Sequence, residues 1–211
     1  MEIVSVNVGL PLEVVWKGRA VRTAIFKQPV DGPVTMSKLN LAGDQQADLT
    51  VHGGYEKAVY GYPEEHYEYW RNELPDVTFA WGNFGENLTT EGLSEDTLHI
   101  GDRLRIGSAT LMVTQPRLPC YKLALRFDRD DMIKRFLASQ RTGFYFSVID
   151  AGEIHSGSKI EMLDPDPYQV SIVDMVRLYL GQTHEPDLVQ RAINVSALPQ
   201  NWKTKLQQMH P

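Results

Sequence analysis

The sequence predicts a mostly β fold with added α: a barrel-like core of short strands decorated by helices, then a small three-helix C-terminal subdomain. Three observations lead there. Short stretches that alternate apolar and polar residues recur from Ile3 to Leu163, punctuated by glycine turns. The clearest runs from Leu98 to Thr114, where Leu104 and Ile106 alternate with Arg103 and Arg105, Gly107–Ser108 turns the chain, and Leu111 and Val113 alternate with Thr110 and Met112. Finally, Leu163–Asp164–Pro165–Asp166–Pro167 breaks the pattern, and apolar spacing beyond it is helical. The expected division is residues 1–163 for the barrel domain and 168–211 for the helical subdomain.

Each element has its own signal. Val4, Val6 and Val8 alternate with Ser5 and Asn7 as a half-buried strand does. Val14 to Val21 reads as a strand turning at Gly18 toward Thr23–Lys27, a basic stretch holding Lys17, Arg19, Arg22 and Lys27. Val34, Met36 and Leu39 suggest another strand. His52–Gly53–Gly54, followed by Lys57, suits a loop whose backbone amides approach a ligand. Pro63, Glu64 and Glu65 read as a helix start, with Tyr67, Trp70 and Leu74 inward and Pro75 as its stop. Gly82–Asn83–Phe84–Gly85–Glu86–Asn87 is a shaped loop whose asparagines form turns or pair with a heterocycle. Asp130 is placed to cap a helix bearing Met132, Ile133, Phe136 and Leu137 and ending at Gly143. Phe144–Ile149 and Ile154–Leu163 are strands, with turns at Gly152 and Gly157. Ser171, Pro186 and Pro199 open three amphipathic helices, too small to stand alone, that pack on the barrel or on a second copy of the chain in a homodimer.

Composition excludes several classes. A net charge of −6 argues against a general nucleic-acid binder. No run approaches the length of about 18 apolar residues that spans a bilayer. The first residues lack the pattern of a signal peptide, and one cysteine cannot form an internal disulfide, so a reducing, cytoplasmic setting is expected. The Gly–Asn loop is not a dinucleotide fingerprint.

That cysteine, Cys120, sits in Thr114–Gln115–Pro116–Arg117–Leu118–Pro119–Cys120–Tyr121–Lys122–Leu123. A lone cysteine is most often a small buried hydrophobe. Here two prolines stiffen its approach, and Arg117 and Lys122 flank it; cations near a thiol favour the thiolate. A zinc site needs more ligands at proper spacing than the scattered histidines offer. A Cys–His hydrolase with His52 as base lacks any supporting signature. A third use needs only one cysteine: a thiolate ligand to a metal whose other ligands belong to an organic cofactor, with cations and glycine amides for its phosphate.

Thr23–Ala24–Ile25–Phe26–Lys27, Gly43–Asp44–Gln45–Gln46–Ala47–Asp48, His52–Gly53–Gly54 with Lys57–Ala58–Val59, Gly82–Asn83–Phe84–Gly85–Glu86–Asn87–Leu88 and Gln115–Leu123 together resemble the MOSC domain family, in its YiiM type. The likeness runs from near residue 1 to about 163, and the tail resembles the three-helix appendage of that type. It implies a MOSC-type β-barrel that binds molybdenum cofactor (molybdopterin), with Cys120 as catalytic residue and molybdenum ligand. Lys27, His52, Gly53, Gly54, Lys57, Asn83, Asn87, Arg117 and Lys122 are then expected to bind the cofactor. The implied chemistry is two-electron reduction of N-hydroxylated compounds, including hydroxylamino-purine base analogues, with electrons from a separate reductase. The alternative is a sulfur carrier holding a persulfide on Cys120, or a cofactor carrier without reductase activity.

Overall fold

The computed structural model describes residues 1–47 and 53–209. Its elements, in chain order, are β1 (Glu2–Val8), β2 (Leu12–Trp16), β3 (Arg19–Thr23), β4 (Gln28–Pro29), β5 (Val34–Met36), a 3-10 turn (Tyr55–Lys57), β6 (Val59–Pro63), α1 (Glu65–Glu73), β7 (Leu88–Glu91), β8 (Arg103–Ile106) and β9 (Ala109–Pro116). Then follow α2 (Tyr121–Phe127), α3 (Met132–Ser139), β10 (Phe144–Asp150), β11 (Gly152–Ile154), β12 (Ile160–Asp164), α4 (Ile172–Tyr179), α5 (Pro186–Asn194) and α6 (Gln200–Met209).

Eight strands form one sheet in the order β12-β8-β9-β10-β6-β7-β1-β4. Its pairs are antiparallel except β6 with β7, and α1 lies in the crossover that a parallel pair requires. The sheet curls until the approach to β12 meets the start of β1: Ile3 N donates to Ser158 O at 2.9 Å and Ile160 N to Met1 O at 3.1 Å. An isolated bridge between Glu2 and Lys159, not a continuous ladder, spans that seam, so the barrel is incompletely closed.

Two apolar clusters fill the structure. The larger joins inward residues of the sheet, such as Ile3, Leu104, Leu111 and Phe146, to Ile172, Met175, Leu188, Ala192, Trp202 and Leu206 from α4 to α6. The C-terminal helices therefore bury their apolar faces against the sheet of the same chain. The smaller cluster is aromatic: Tyr60, Tyr62, Tyr67, Trp70, Phe84, Phe127 and Phe136 gather between α1, α2, α3 and the outer side of the sheet. On the larger cluster's side, position 61 must be glycine because a Cβ there would stand 2.7 Å from the Phe144 ring.

Local chemistry explains most boundaries. The β2–β3 hairpin turns on Lys17 and Gly18, both at positive φ, as two-residue hairpin turns require. Ser171 accepts from Asp174 N while the Asp174 carboxylate accepts from Ser171 N, a complete capping box at the start of α4. Pro186 occupies the first turn of α5.

Four expectations are corrected. Pro63 ends β6 rather than opening a helix; it pairs with Thr90, and a strand terminus tolerates its missing N–H. Asp131, not Asp130, stands at the N-cap of α3, with no side-chain cap bond; the Asp130 carboxylate pairs with Lys17 instead. Gln140, left-handed at φ 57°, ends that helix before Gly143 is reached. Gly152 starts β11 instead of only turning the chain. No described helix is long and apolar enough to cross a membrane.

Replacing Ser171 by alanine removes the capping box and is expected to cost about 1 kcal/mol. For a chain of this length that lowers the thermal midpoint by roughly 2–4 °C, measurable by circular dichroism or calorimetry.

Candidate functional site

Strand β9 delivers the chain to the cysteine. After Pro116 the chain runs through Arg117–Leu118–Pro119, and Cys120 takes an extended conformation (φ −125°, ψ 176°) at the N-cap of α2. Sequence pattern suggests only a loop here. Helix α2 is held by apolar burial instead: Leu123, Ala124, Leu125 and Phe127 are all buried, leaving no amphipathic period to read. Leu123 N donates to Cys120 O at 2.9 Å, which fixes the cysteine backbone to the first turn. Cys120 itself is half-buried.

Cys120 lines a cleft of about 110 Å³ with Lys27, Lys57, Arg117 and Lys122, against which stands a single carboxylate among the described residues, Asp44. The lining is thus cationic inside a protein of net charge −6. Tyr60, Phe84, Leu118 and Tyr145 supply apolar surface, which lowers the local dielectric and strengthens charge interactions within.

Arg117 is 6% exposed, with its guanidinium carbon 5.3 Å from the Tyr60 ring centroid and 5.0 Å from that of Phe136. Burial pulls its pKa down, but the surrounding Tyr60, Tyr145 and Cys120 groups more than offset this and raise it, so the guanidinium stays charged. It bonds the Tyr145 phenol, whose own pKa burial raises despite that cation. Its Nη1 is buried with no hydrogen-bond partner among the described residues. A buried cationic N–H without an acceptor is costly, and an anion arriving in the cleft relieves that cost.

Lys27 is held differently. Its ammonium pairs with Asp44, both buried, and burial lowers the Lys27 pKa against the opposing pull of that carboxylate. Asp44 also accepts from Gly9 N at 2.9 Å and from Asn87 Nδ2 at 3.0 Å. Asn87 Oδ1 accepts in turn from Tyr60 N at 3.1 Å. Lys27 and Asn87 therefore line the cleft within its wall, with their polar atoms already engaged.

The Gly–Asn loop lies against this wall. Gly82 and Gly85 sit at φ 86° and 78°, and added Cβ atoms would meet Lys27 O at 2.8 Å and Ile25 Cγ1 at 2.9 Å. The close approach and the left-handed backbone both demand glycine. Glu86 organises the loop from inside, accepting from Gly82 N at 2.8 Å, Phe84 N at 3.0 Å, Thr89 Oγ1 at 3.1 Å and the Tyr67 hydroxyl. Burial raises its pKa in spite of those bonds.

The expected site residues divide accordingly. Cys120, Lys27, Gly53, Lys57, Asn87, Arg117 and Lys122 all line the cleft. Asn83 does not: its Oδ1 accepts from Arg126 Nη2 at 2.9 Å and Ala80 N at 3.3 Å, which hold it to the loop. Gly54 stands at positive φ before the 3-10 turn, behind Gly53 and outside the lining. His52 lies outside the described residues. Asp44, Tyr60 and Tyr145 join the site without having been expected from sequence. Asp44 has a local hint, a carboxylate directly after Gly43, but nothing in sequence reveals its partner 17 residues away.

Among the described residues no group of three His, Cys, Asp or Glu side chains converges to hold a metal ion. A metal at Cys120 must bring most of its ligands with it. A cofactor that carries a phosphate and its own metal ligands fits this lining: one thiol, several cations, and a buried guanidinium nitrogen that lacks an acceptor.

Comparison with known proteins agrees with the geometry. The MOSC domain profile matches residues 48–161. The uncharacterized protein YflK of Bacillus subtilis is 35% identical over 201 residues, covering 95% of this chain and 90% of that protein. A protein named as a reductase in Gibberella moniliformis is 36% identical over 76% of this chain, but this chain spans only 29% of its length. The crystal structure of YiiM from Geobacillus stearothermophilus superposes with a TM-score of 0.82 at 31% identity, covering 100% of this chain and 99% of that one.

Asp44→Ala is expected to leave Lys27 as an uncompensated buried charge and to strand two further donors. Urea unfolding should show a loss of about 3–5 kcal/mol. A second change, Lys27→Met, should restore much of it, because a well-packed apolar residue replaces a buried ion at little net cost.

Proposed function

The chain belongs to the MOSC domain family, and from that premise we propose that it binds molybdenum cofactor and reduces N-hydroxylated compounds, with Cys120 as the protein's ligand to molybdenum. The observation that carries this reading is the buried, unpartnered Nη1 of Arg117 in the cationic cleft that Cys120 lines. It supports an anion site beside the thiol. The likeness to a protein named as a reductase supports redox chemistry.

When bound, the cofactor supplies the two-electron chemistry that cleaves an N–O bond, so that R–NHOH, two electrons and two protons give R–NH₂ and water. The chain's residues provide the setting. Cys120 is the only sulfur among the described lining residues and serves as the soft donor. Arg117 holds the phosphate, aided by Lys57 and Lys122, and Gly53 allows close backbone approach. The Tyr145 phenol, bonded to Arg117, keeps the guanidinium oriented. Lys27, Asp44 and Asn87 fix the wall opposite, and Tyr60, Phe84 and Leu118 exclude water. The two electrons come from a separate reductase protein.

The test is expression in a host that makes the cofactor, followed by assays for molybdenum, for oxidised-pterin fluorescence and for reduction of an N-hydroxy compound. Cys120→Ser is expected to abolish reduction while pterin is retained. Arg117→Met removes charge-assisted bonds of about 1.5–3 kcal/mol and should weaken cofactor retention roughly 10- to 100-fold. Full activity in Cys120→Ser, or protein carrying neither molybdenum nor pterin, overturns the reading; a persulfide on Cys120 without metal points to sulfur carriage. Reduction by the purified chain with NADH alone overturns the separate electron donor.

A further inference from the structure

Cys120 faces two cavities, and the proposed cofactor site uses only one. The second, about 300 Å³, shares Lys57, Leu118, Cys120 and Tyr145 with the first. Its far wall is different in origin: Tyr179 from α4 and Asn201, Trp202 and Lys205 from α6. The first cavity has the orphaned guanidinium; the second does not have Arg117 in its lining.

The α6 wall is a built surface. Trp202 is 4% exposed, and its Nε1 donates to Gln115 Oε1 at 2.9 Å, locking the helix to β9 just before the cysteine segment. Gln115 in turn donates to Glu56 O at 3.4 Å, beside Lys57. Asn201, Trp202 and Lys205 share one face of α6, because residues three and four apart are neighbours on a helix. Tyr179 and Trp202 are tilted rings 5.7 Å apart, and the Lys205 ammonium lies 3.8 Å from the Tyr179 ring centroid. That contact fixes the cation at the cavity without cancelling its charge.

The chemistry of the lining is selective. Tyr145, Tyr179, Trp202, Pro116 and Leu118 give it aromatic and apolar surface, beside the polar Gln115 and Asn201. Its charged residues, among those described, are two lysines: Lys57, which it shares with the first cavity, and Lys205, which belongs to it alone. A planar aromatic body suits the walls, and an acidic substituent suits Lys205.

We propose that this second cavity is the substrate subsite, that it takes aromatic N-hydroxylated compounds bearing an anionic group, and that Lys205 is the residue selecting that group. The assignment of substrate rests on the reductase reading above. Binding to the cavity does not, and the test exploits this.

Benzhydroxamic acid and its 4-carboxy derivative are titrated into the apoprotein by calorimetry. The carboxylated compound is expected to bind about tenfold more tightly. Lys205→Ala should bring the two to within about twofold of each other, and Lys205→Arg should restore the difference. Equal binding of both compounds to the unaltered protein overturns the proposal, as does a preference that persists in Lys205→Ala. On cofactor-loaded protein the same variant should raise KM for the carboxylated compound about tenfold and leave kcat within about twofold. Selective binding without any N–O reduction would sink the reductase reading but leave the anion-selective cavity standing. Reduction with a KM indifferent to Lys205 would sink the selector and leave the reductase.

Discussion

Asp44 is the carboxylate on which the cleft depends. It joins four separate regions of the chain in a buried setting: the end of β1 through Gly9 N, the irregular segment carrying Lys27, its own loop, and the start of β7 through Asn87. Asn87 passes the constraint on to β6 by accepting from Tyr60 N. Burial makes these contacts strong, and it also makes each of them costly to lose. A wall built this way cannot drift without exposing a charge to a low dielectric. The aromatic cluster behind it adds rigidity, since Tyr62, Phe84 and Phe136 pack with centroids 4.5–6.2 Å apart.

A second buried carboxylate, Glu86, has a matching role in the Gly–Asn loop beside Asn87. It gathers donors from that loop, from β7 and from α1. The two acids differ in what they face. Asp44 reaches the cleft, whereas Glu86 is fully enclosed. Between them run residues 25–27, pressed by Gly82 and Gly85 into a course that a side chain at either glycine would block. Part of the positive charge of the cleft is thus balanced by Asp44 in its wall and by Glu86 enclosed behind it.

Much of this is legible in the sequence, wherever the controlling chemistry is local. The β8–β9 hairpin, the Lys17–Gly18 turn, the Ser171 cap and Pro186 at the head of α5 each follow from a few adjacent residues. The cysteine with its flanking cations is legible for the same reason. Helix α2 is not, because burial on nearly all sides erases the period that would announce it. Pro63 misleads because proline suits a helix start and a strand end alike. Among site residues, the type of Asn83 is right for a cleft, but Arg126, 43 positions later, claims its oxygen. Lys27 stands out as a cation, yet the acid that holds it is a long-range partner. The engagement of Trp202 with Gln115 spans 87 positions and leaves no local trace.

That tryptophan contact has a consequence for how such a protein can diversify. The family profile ends at residue 161, while the wall carrying Trp202 begins near residue 200. The first cleft beside Cys120 is lined by residues of the matched stretch and of the strands and loops before it, whereas the far wall of the second comes from α4 and α6, which lie beyond it. Exchanges at Asn201 or Lys205 reshape one chamber while the Asp44 network stays untouched, because the bonds that hold Asp44 and the bond that holds Trp202 have no residue in common. The terminal helix can therefore vary at the second chamber without disturbing the bonds that hold the first.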